Sequence, residues 1–168
     1  MAAGSKRETI LANIVTTLDA ITTGGGYNTN SGTITRKWVH PSEWPSGSDT
    51  YWACSVQPGR ESRLPDTESG AGMFRARFPV EMWITDTVTR TQQETGGIST
   101  RVEEIQEDVE KALMVDETRG FTPGQTEIET TEIEYIDAPD FVSEVATRVY
   151  FVIEAVVTYR EWRDPADR

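Results

Sequence analysis

Met73-Phe74-Arg75-Ala76-Arg77-Phe78-Pro79-Val80-Glu81-Met82-Trp83-Ile84 is the stretch that decides the fold class. Phe74, Ala76, Phe78, Val80, Met82 and Ile84 share one parity, while Arg75, Arg77, Glu81 and Thr85 share the other. Side chains alternate between the two sides of a strand, so this spacing predicts one buried and one wet face, as in an antiparallel sheet. The strand is expected over 73–90. Pro79 falls on the outer parity, and a residue that cannot donate to a ladder points to a sheet edge or a bulge.

Working outward, Gly96-Gly97 interrupts the chain, and Thr100 with Glu103 has the spacing of a capping box. Ile98, Val102, Ile105, Val109 and Leu113 then recur at steps of four, three, four and four. This predicts a helix over about 99–114 with one apolar face and an acidic remainder. An earlier helix is expected over about 6–22. Ser5 and Glu8 form its capping box, Ile10, Leu11, Ile14, Leu18 and Ile21 its stripe, and Gly24-Gly25-Gly26 its stop. Strands are expected at 33–40, 50–57, 126–136 and 143–160, where β-branched and aromatic residues alternate with polar ones. Residues 41–49 and 60–72 read as loops.

The expected fold is therefore α+β, two helices packed on one mostly antiparallel sheet, in the order α-β-β-β-α-β-β. The chain of 168 residues fits a single domain over 1–168, with a core at about 6–162, a loose start at 1–4 and a polar tail at 163–168.

Charge is distributed unevenly. Residues 1–101 hold ten acids and ten bases, whereas 102–168 hold eighteen acids and six bases and so carry the whole net charge of −12. Phe121 to Thr147 contains no Lys or Arg. Such a surface does not bind phosphates by neutralisation, but it can repel them.

Cys54 lies in the apolar run Tyr51-Trp52-Ala53-Cys54-Ser55-Val56, where a small buried strand residue is expected rather than a nucleophile. His40 is the one histidine, so one Cys and one His cannot furnish a nitrogen–sulfur zinc site within the chain. The three glycines after the first helix lie in the wrong context for a phosphate loop. Glu103 with Glu107 and Glu132 with Glu134 could hold a cation, but solvated faces are the expectation. The expectation is a protein that is not an enzyme and needs no cofactor and no metal. No apolar run approaches the ~18 residues of a membrane helix, and the first residues lack a signal-peptide core, so synthesis in the cytoplasm is expected.

The element order resembles that of the tail terminator, or tail-completion, family of long-tailed phages. The local features are Gly26-Tyr27 after the opening helix, Pro58-Gly59-Arg60-Glu61 after the second strand, the long strand followed by a Gly-Gly turn and an acidic helix, and the closing Val157-Thr158-Tyr159-Arg160. The resemblance covers about 6–162, and the loops at 41–49 and 60–72 are long for it. It implies a virion protein of the tail and neck, made in the host cytoplasm. This protein forms a ring, typically a hexamer, that caps the tail tube and stops its polymerisation. The implied partners are further copies of the chain, the tail tube protein, a head-completion or connector protein and, in a contractile tail, the sheath protein. DNA would pass through the lumen in transit only, and no membrane is involved.

Under this resemblance, Glu103, Glu107, Glu110, Glu127, Glu129, Glu132 and Glu134 are expected to line the lumen. Arg75, Arg77, Arg60, Glu61 and Arg63 are expected at the subunit interface, with the arginines facing acids of the next copy. Alternative readings are another neck or tail component (a head–tail adaptor, stopper or tube protein), a small enzyme using paired carboxylates, or a binding domain with a basic partner.

Overall fold

A computed structural model of the chain describes residues 6–39, 43, 51–65, 73–116, 118–121, 127–136, 140–141 and 148–162. Its elements are helix α1 (Lys6–Asp19), a 3₁₀ turn (Thr23–Gly25), strands β1 (Asn30–Thr35), β2 (Tyr51–Pro58), β3 (Ser62–Pro65) and β4 (Met73–Thr87), helices α2 (Arg90–Thr95) and α3 (Gly97–Val115), and strands β5 (Glu127–Ile136), β6 (Asp140–Phe141) and β7 (Arg148–Trp162). One seven-stranded sheet runs in the order β1-β2-β4-β7-β5, with β3 added to β4 and β6 to β7. Every pairing is antiparallel except β1 with β2. The α+β class and the mostly antiparallel sheet agree with the sequence reading.

Both long helices cover the same face of the sheet. Ile10, Leu11, Ile14 and Leu18 of α1 and Val102, Ile105, Val109, Ala112 and Leu113 of α3 are buried. They join Trp52, Cys54 and Val56 of β2, Phe78 through Ile84 at alternate positions of β4, and Val149 through Tyr159 at alternate positions of β7 in one core. Each large side chain buried there contributes about 1.5–3 kcal/mol.

Several boundaries differ from the sequence reading for identifiable reasons. α1 stops at Asp19 because the Thr22 hydroxyl caps the 3₁₀ turn by accepting from Gly25 N–H. Ser5, the expected cap, lies outside the described residues, as do 1–4, 163–168, most of 41–49, and 66–72. The box at Thr100 and Glu103 does not start a helix, since both residues lie inside α3. The capping box in use is Thr89 with Gln92, which starts the short α2. Gly96, at a left-handed φ of 75°, then redirects the chain into α3. β1 starts at Asn30 and ends at Thr35, because residues after it lie beside β2 rather than along it: Lys37 C=O accepts from Ser55 Oγ and Arg36 C=O from Gln57 Nε2. β3 lies inside the segment 60–72 that reads as a loop. It is too short and polar to show a period, and it exists because β4 outruns β2 and offers it a free edge.

Pro79 corrects the edge expectation. β4 is central, and Pro79 pairs with Val156 of β7. On the other side its carbonyl accepts from Gly59 N–H at 2.8 Å. A residue's N–H and C=O point the same way in a strand, so the missing donor faces the gap where β2 has ended and β3 has not begun. Gly59 fits that gap because a Cβ there would stand 2.8 Å from Pro79 Cβ.

The second face of the sheet also differs from expectation. It is not uniformly wet. Ser55, Thr85, Val152 and Val156 are buried on it, and the Trp83 ring meets Trp38 edge-on at 5.1 Å.

Candidate functional site

The outer side of α3 carries Glu103, Glu107 and Glu110, all exposed. Steps of four and three place them on one stripe, which continues to Met114. None of the three carboxylates has an intrachain partner among the described residues. Near the end of the helix Met114 and Val115 are 62% and 74% exposed. Together with Glu107, Glu110 and Lys111 they line an open groove of about 440 Å³. The Lys111 ammonium is held elsewhere, donating to Gly26 C=O at 2.6 Å and standing 4.8 Å over the Tyr27 ring.

Asp108, one residue along from Glu107, points the other way and is buried. It accepts from the backbone N–H groups of Asn28 (2.9 Å) and Thr29 (2.7 Å) and from Thr29 Oγ1 (2.7 Å). Thr29 Oγ1 in turn accepts from Trp52 Nε1 at 2.9 Å. This chain of bonds ties α3 to the segment before β1 and to β2. The sequence places Asp108 among surface acids, although it sits three residues after Ile105 and four before Ala112, on the apolar side. Asp86 is a second buried acid. It accepts from Arg101 Nε at 2.8 Å and fixes the start of α3 to the end of β4.

The acids of β5 divide. β5 carries bulges between Ile128 and Thr130 and between Ile133 and Tyr135. The inserted residues are Glu129 and Glu134. A bulge re-aims its extra side chain, and both glutamates reach across β7 to β4. Glu129 pairs with Arg75 at 2.7 Å and with Arg160 at 2.6 Å, and Glu134 pairs with Arg77. The expected lumen acids Glu129 and Glu134 are thus neutralised by the expected interface arginines of the same chain. Within one chain, Arg75 and Arg77 are already paired with acids of that chain. Glu132 is exposed without a partner among the described residues, and the side chain of Glu127 lies outside them.

Glu61 is likewise committed internally. Its side chain is only 4% exposed, and it accepts from Arg7 Nε at 2.9 Å, from Tyr159 Oη at 2.7 Å and from Arg63. Burial alone would raise its pKa, but the bonds from Arg63 and Tyr159 and the charges of Arg63 and Arg7 outweigh it and hold the carboxyl below its ordinary value. Arg63 also stacks 4.8 Å over Phe74. Of the expected interface set, Arg60 alone remains exposed without a partner among the described residues.

Arg119 escaped the sequence reading. It is fully buried, at a left-handed φ of 49°, and donates to Thr131 Oγ1 at 2.9 Å and to Leu113 C=O at the end of α3. Burial lowers its pKa, and Asp116 partly offsets this. The guanidinium thus serves one of the last carbonyls of the helix.

Cys54 is buried, and desolvation pushes its thiol far above the ordinary range, so it is a poor nucleophile. His40 lies outside the described residues. Among the described residues, no three His, Cys, Asp or Glu side chains gather as a metal cluster, and no helix is long and apolar enough to cross a membrane. Neither a protein-family model nor a curated protein sequence matches the chain.

Proposed function

We propose that the chain is a structural virion protein, a tail terminator that closes into a ring on the end of the tail tube. The ring halts tube polymerisation, offers its other side to the head-completion proteins, and lets DNA pass. The resemblance in element order motivates this reading. The observation that carries it is the uncompensated acidic stripe of α3. Most described arginines are spent on carboxylates of the same chain, whereas Glu103, Glu107 and Glu110 keep their charge exposed. A lumen wall built from this stripe, one copy per subunit, repels phosphates and lets duplex DNA slide without adhering.

Negative-stain images of the purified chain test the first half of the proposal. Closed rings are expected; extended tubes would assign the chain to the tube protein instead, and monomers at all concentrations would rule the ring out. The second half predicts that the wild-type ring does not retain duplex DNA at low salt. The variant Glu103→Lys, repeated in every subunit, should retain it, with retention falling steeply as salt rises. Indifference of DNA retention to this reversal would remove the Glu103 stripe from the lumen wall.

A further inference from the structure

The stripe on α3 changes character along its length, from carboxylates at Glu103 to Glu110 to apolar side chains at Met114 and Val115. The groove at its end combines two carboxylates with two exposed apolar groups. Because Lys111 is held by Gly26 C=O and the Tyr27 ring, neither Glu107 nor Glu110 has a cation partner among the described residues. Such a groove is complementary to a cation placed beside an apolar group.

The chain presents that combination at Lys37-Trp38. Lys37 is exposed, and its ammonium has no partner among the described residues. Trp38 is 57% exposed, with one edge held against Trp83. The backbone here is already fixed: Lys37 N–H donates to Thr35 Oγ1, and Lys37 C=O accepts from Ser55 Oγ. A tryptophan on a pre-ordered backbone loses little freedom on docking, and tryptophan is over-represented among interface anchors. A second exposed cation, Arg60, lies four residues from the exposed Leu64, but between them Glu61 and Arg63 are occupied with each other.

We infer that Lys37 and Trp38 of one protomer seat in the α3 groove of the next copy, with Trp38 against Met114 and Val115 and Lys37 against Glu110 and Glu107. The inference rests on the ring-forming reading above and names its subunit contact. The groove belongs to the helix layer and Trp38 to the opposite face of the sheet, so no protomer can fill its own groove. The contact is heterologous, the kind that propagates around a closed ring. It occupies the apolar end of the stripe, and a single Lys37 against Glu110 and Glu107 leaves the stripe net negative, with Glu103 wholly free for the lumen wall beside the contact.

The test is sedimentation velocity of the full chain over a concentration series. Trp38→Ala, Lys37→Glu and Met114→Asp should each weaken self-association at least about tenfold. Lys37→Glu changes a surface charge alone, so it reports on the contact even if Trp38→Ala disturbs the packing on Trp83. An equal mixture of the Trp38→Ala and Met114→Asp chains should form a discrete 1:1 dimer and stop there, since each supplies the half the other lacks. Rings that persist in all three variants would overturn the contact while leaving the ring standing. Disruption by Leu64→Asp but not by Lys37→Glu would also overturn it, by assigning the groove to a different patch. A wild-type chain that stays monomeric throughout would remove both the contact and the ring.

Discussion

The outer stripe of α3 and the second face of the sheet carry similar residues and treat them in opposite ways. On the sheet, bulges at Glu129 and Glu134 swing two carboxylates across a strand onto Arg75, Arg160 and Arg77. On the helix, Glu103, Glu107 and Glu110 follow one another at helical spacing with no cation brought to them among the described residues. The sequence shows a neutral first part and an acidic second part, but the fold does not keep them apart. Arg75 and Arg77 come from the first part and Glu129 and Glu134 from the second, and they cancel in space. Among the described residues of the second part, the helix stripe and Glu132 stay exposed and negative, and the stripe is the longer run.

The largest effect expected within this comparison lies on α3 itself. Asp108→Ala leaves the Asn28 and Thr29 N–H groups and the Thr29 O–H without their acceptor in a largely buried site, at a cost of about 2–4 kcal/mol. Glu107→Ala, one residue away, should change stability by no more than about 0.5 kcal/mol. Urea denaturation of the two variants checks this. Equal costs would mean that the helix is not divided into an anchored side and a free side.

How much of this was legible beforehand depends on how regular each signal is. The alternation in β4 and the three-four spacing in α3 reveal the sheet, the helix and the fold class, because burial of one face repeats at the period of the element. The central place of Pro79 is not legible, because its tolerance depends on where a neighbouring strand ends, which only the assembled sheet decides. The intrachain pairing of Glu129 and Glu134 is not legible in the sequence, because a bulge shifts parity by one and no residue in Glu127–Ile136 announces it. Asp108 carried a faint signal, a polar residue on the apolar side of its helix. Arg119 carried none, since its value comes from a helix end and a strand that meet it only in the fold.

The second face has its own seam, at the row of Pro79, between the aromatic end and the charged end. Gly59→Ala forces a Cβ to 2.8 Å from Pro79 Cβ and 3.1 Å from its carbonyl oxygen. The expected cost is about 1–3 kcal/mol, as for overpacking elsewhere, read as a lower urea midpoint with an unchanged slope. A cost near zero would show that β2 and β3 can part at the seam without loss.

A smaller effect should appear with pH at Glu61. Its carboxyl is held below the ordinary 4.5, so in the folded state it binds its proton less readily than in the unfolded chain. The stabilisation is present above pH 4.5 and fades as pH falls below it toward the folded pKa. Glu61→Gln should therefore lower the melting temperature at pH 7 and narrow its gap to wild type as pH drops from 4.5 toward 3. A constant gap across that range would mean that the Glu61 charge is not what Arg7 and Arg63 stabilise.

The smallest effects should come from the ladder that defines the comparison. Arg77 and Glu134 have side chains 47% and 38% exposed, so water screens the pair, and its coupling should be about 0.2–1 kcal/mol in a double-mutant cycle. Glu129 is 20% exposed and shared by Arg75 and Arg160, which places it at the upper end of that range. The discriminating measurement is therefore the response to charge and salt rather than total stability. Arg77→Glu should weaken folding slightly and the double exchange R77E/E134R should restore it, in the monomer and at any protein concentration. Raising salt from 0.05 to about 0.5 M should shrink the coupling, because the Debye length falls well below 10 Å. If Arg77→Glu instead leaves folding untouched and abolishes self-association, with rescue by E134R only when it is supplied on a second chain, then the ladder pairs between copies, and the sheet face rather than α3 is where the charge is left to meet a neighbour.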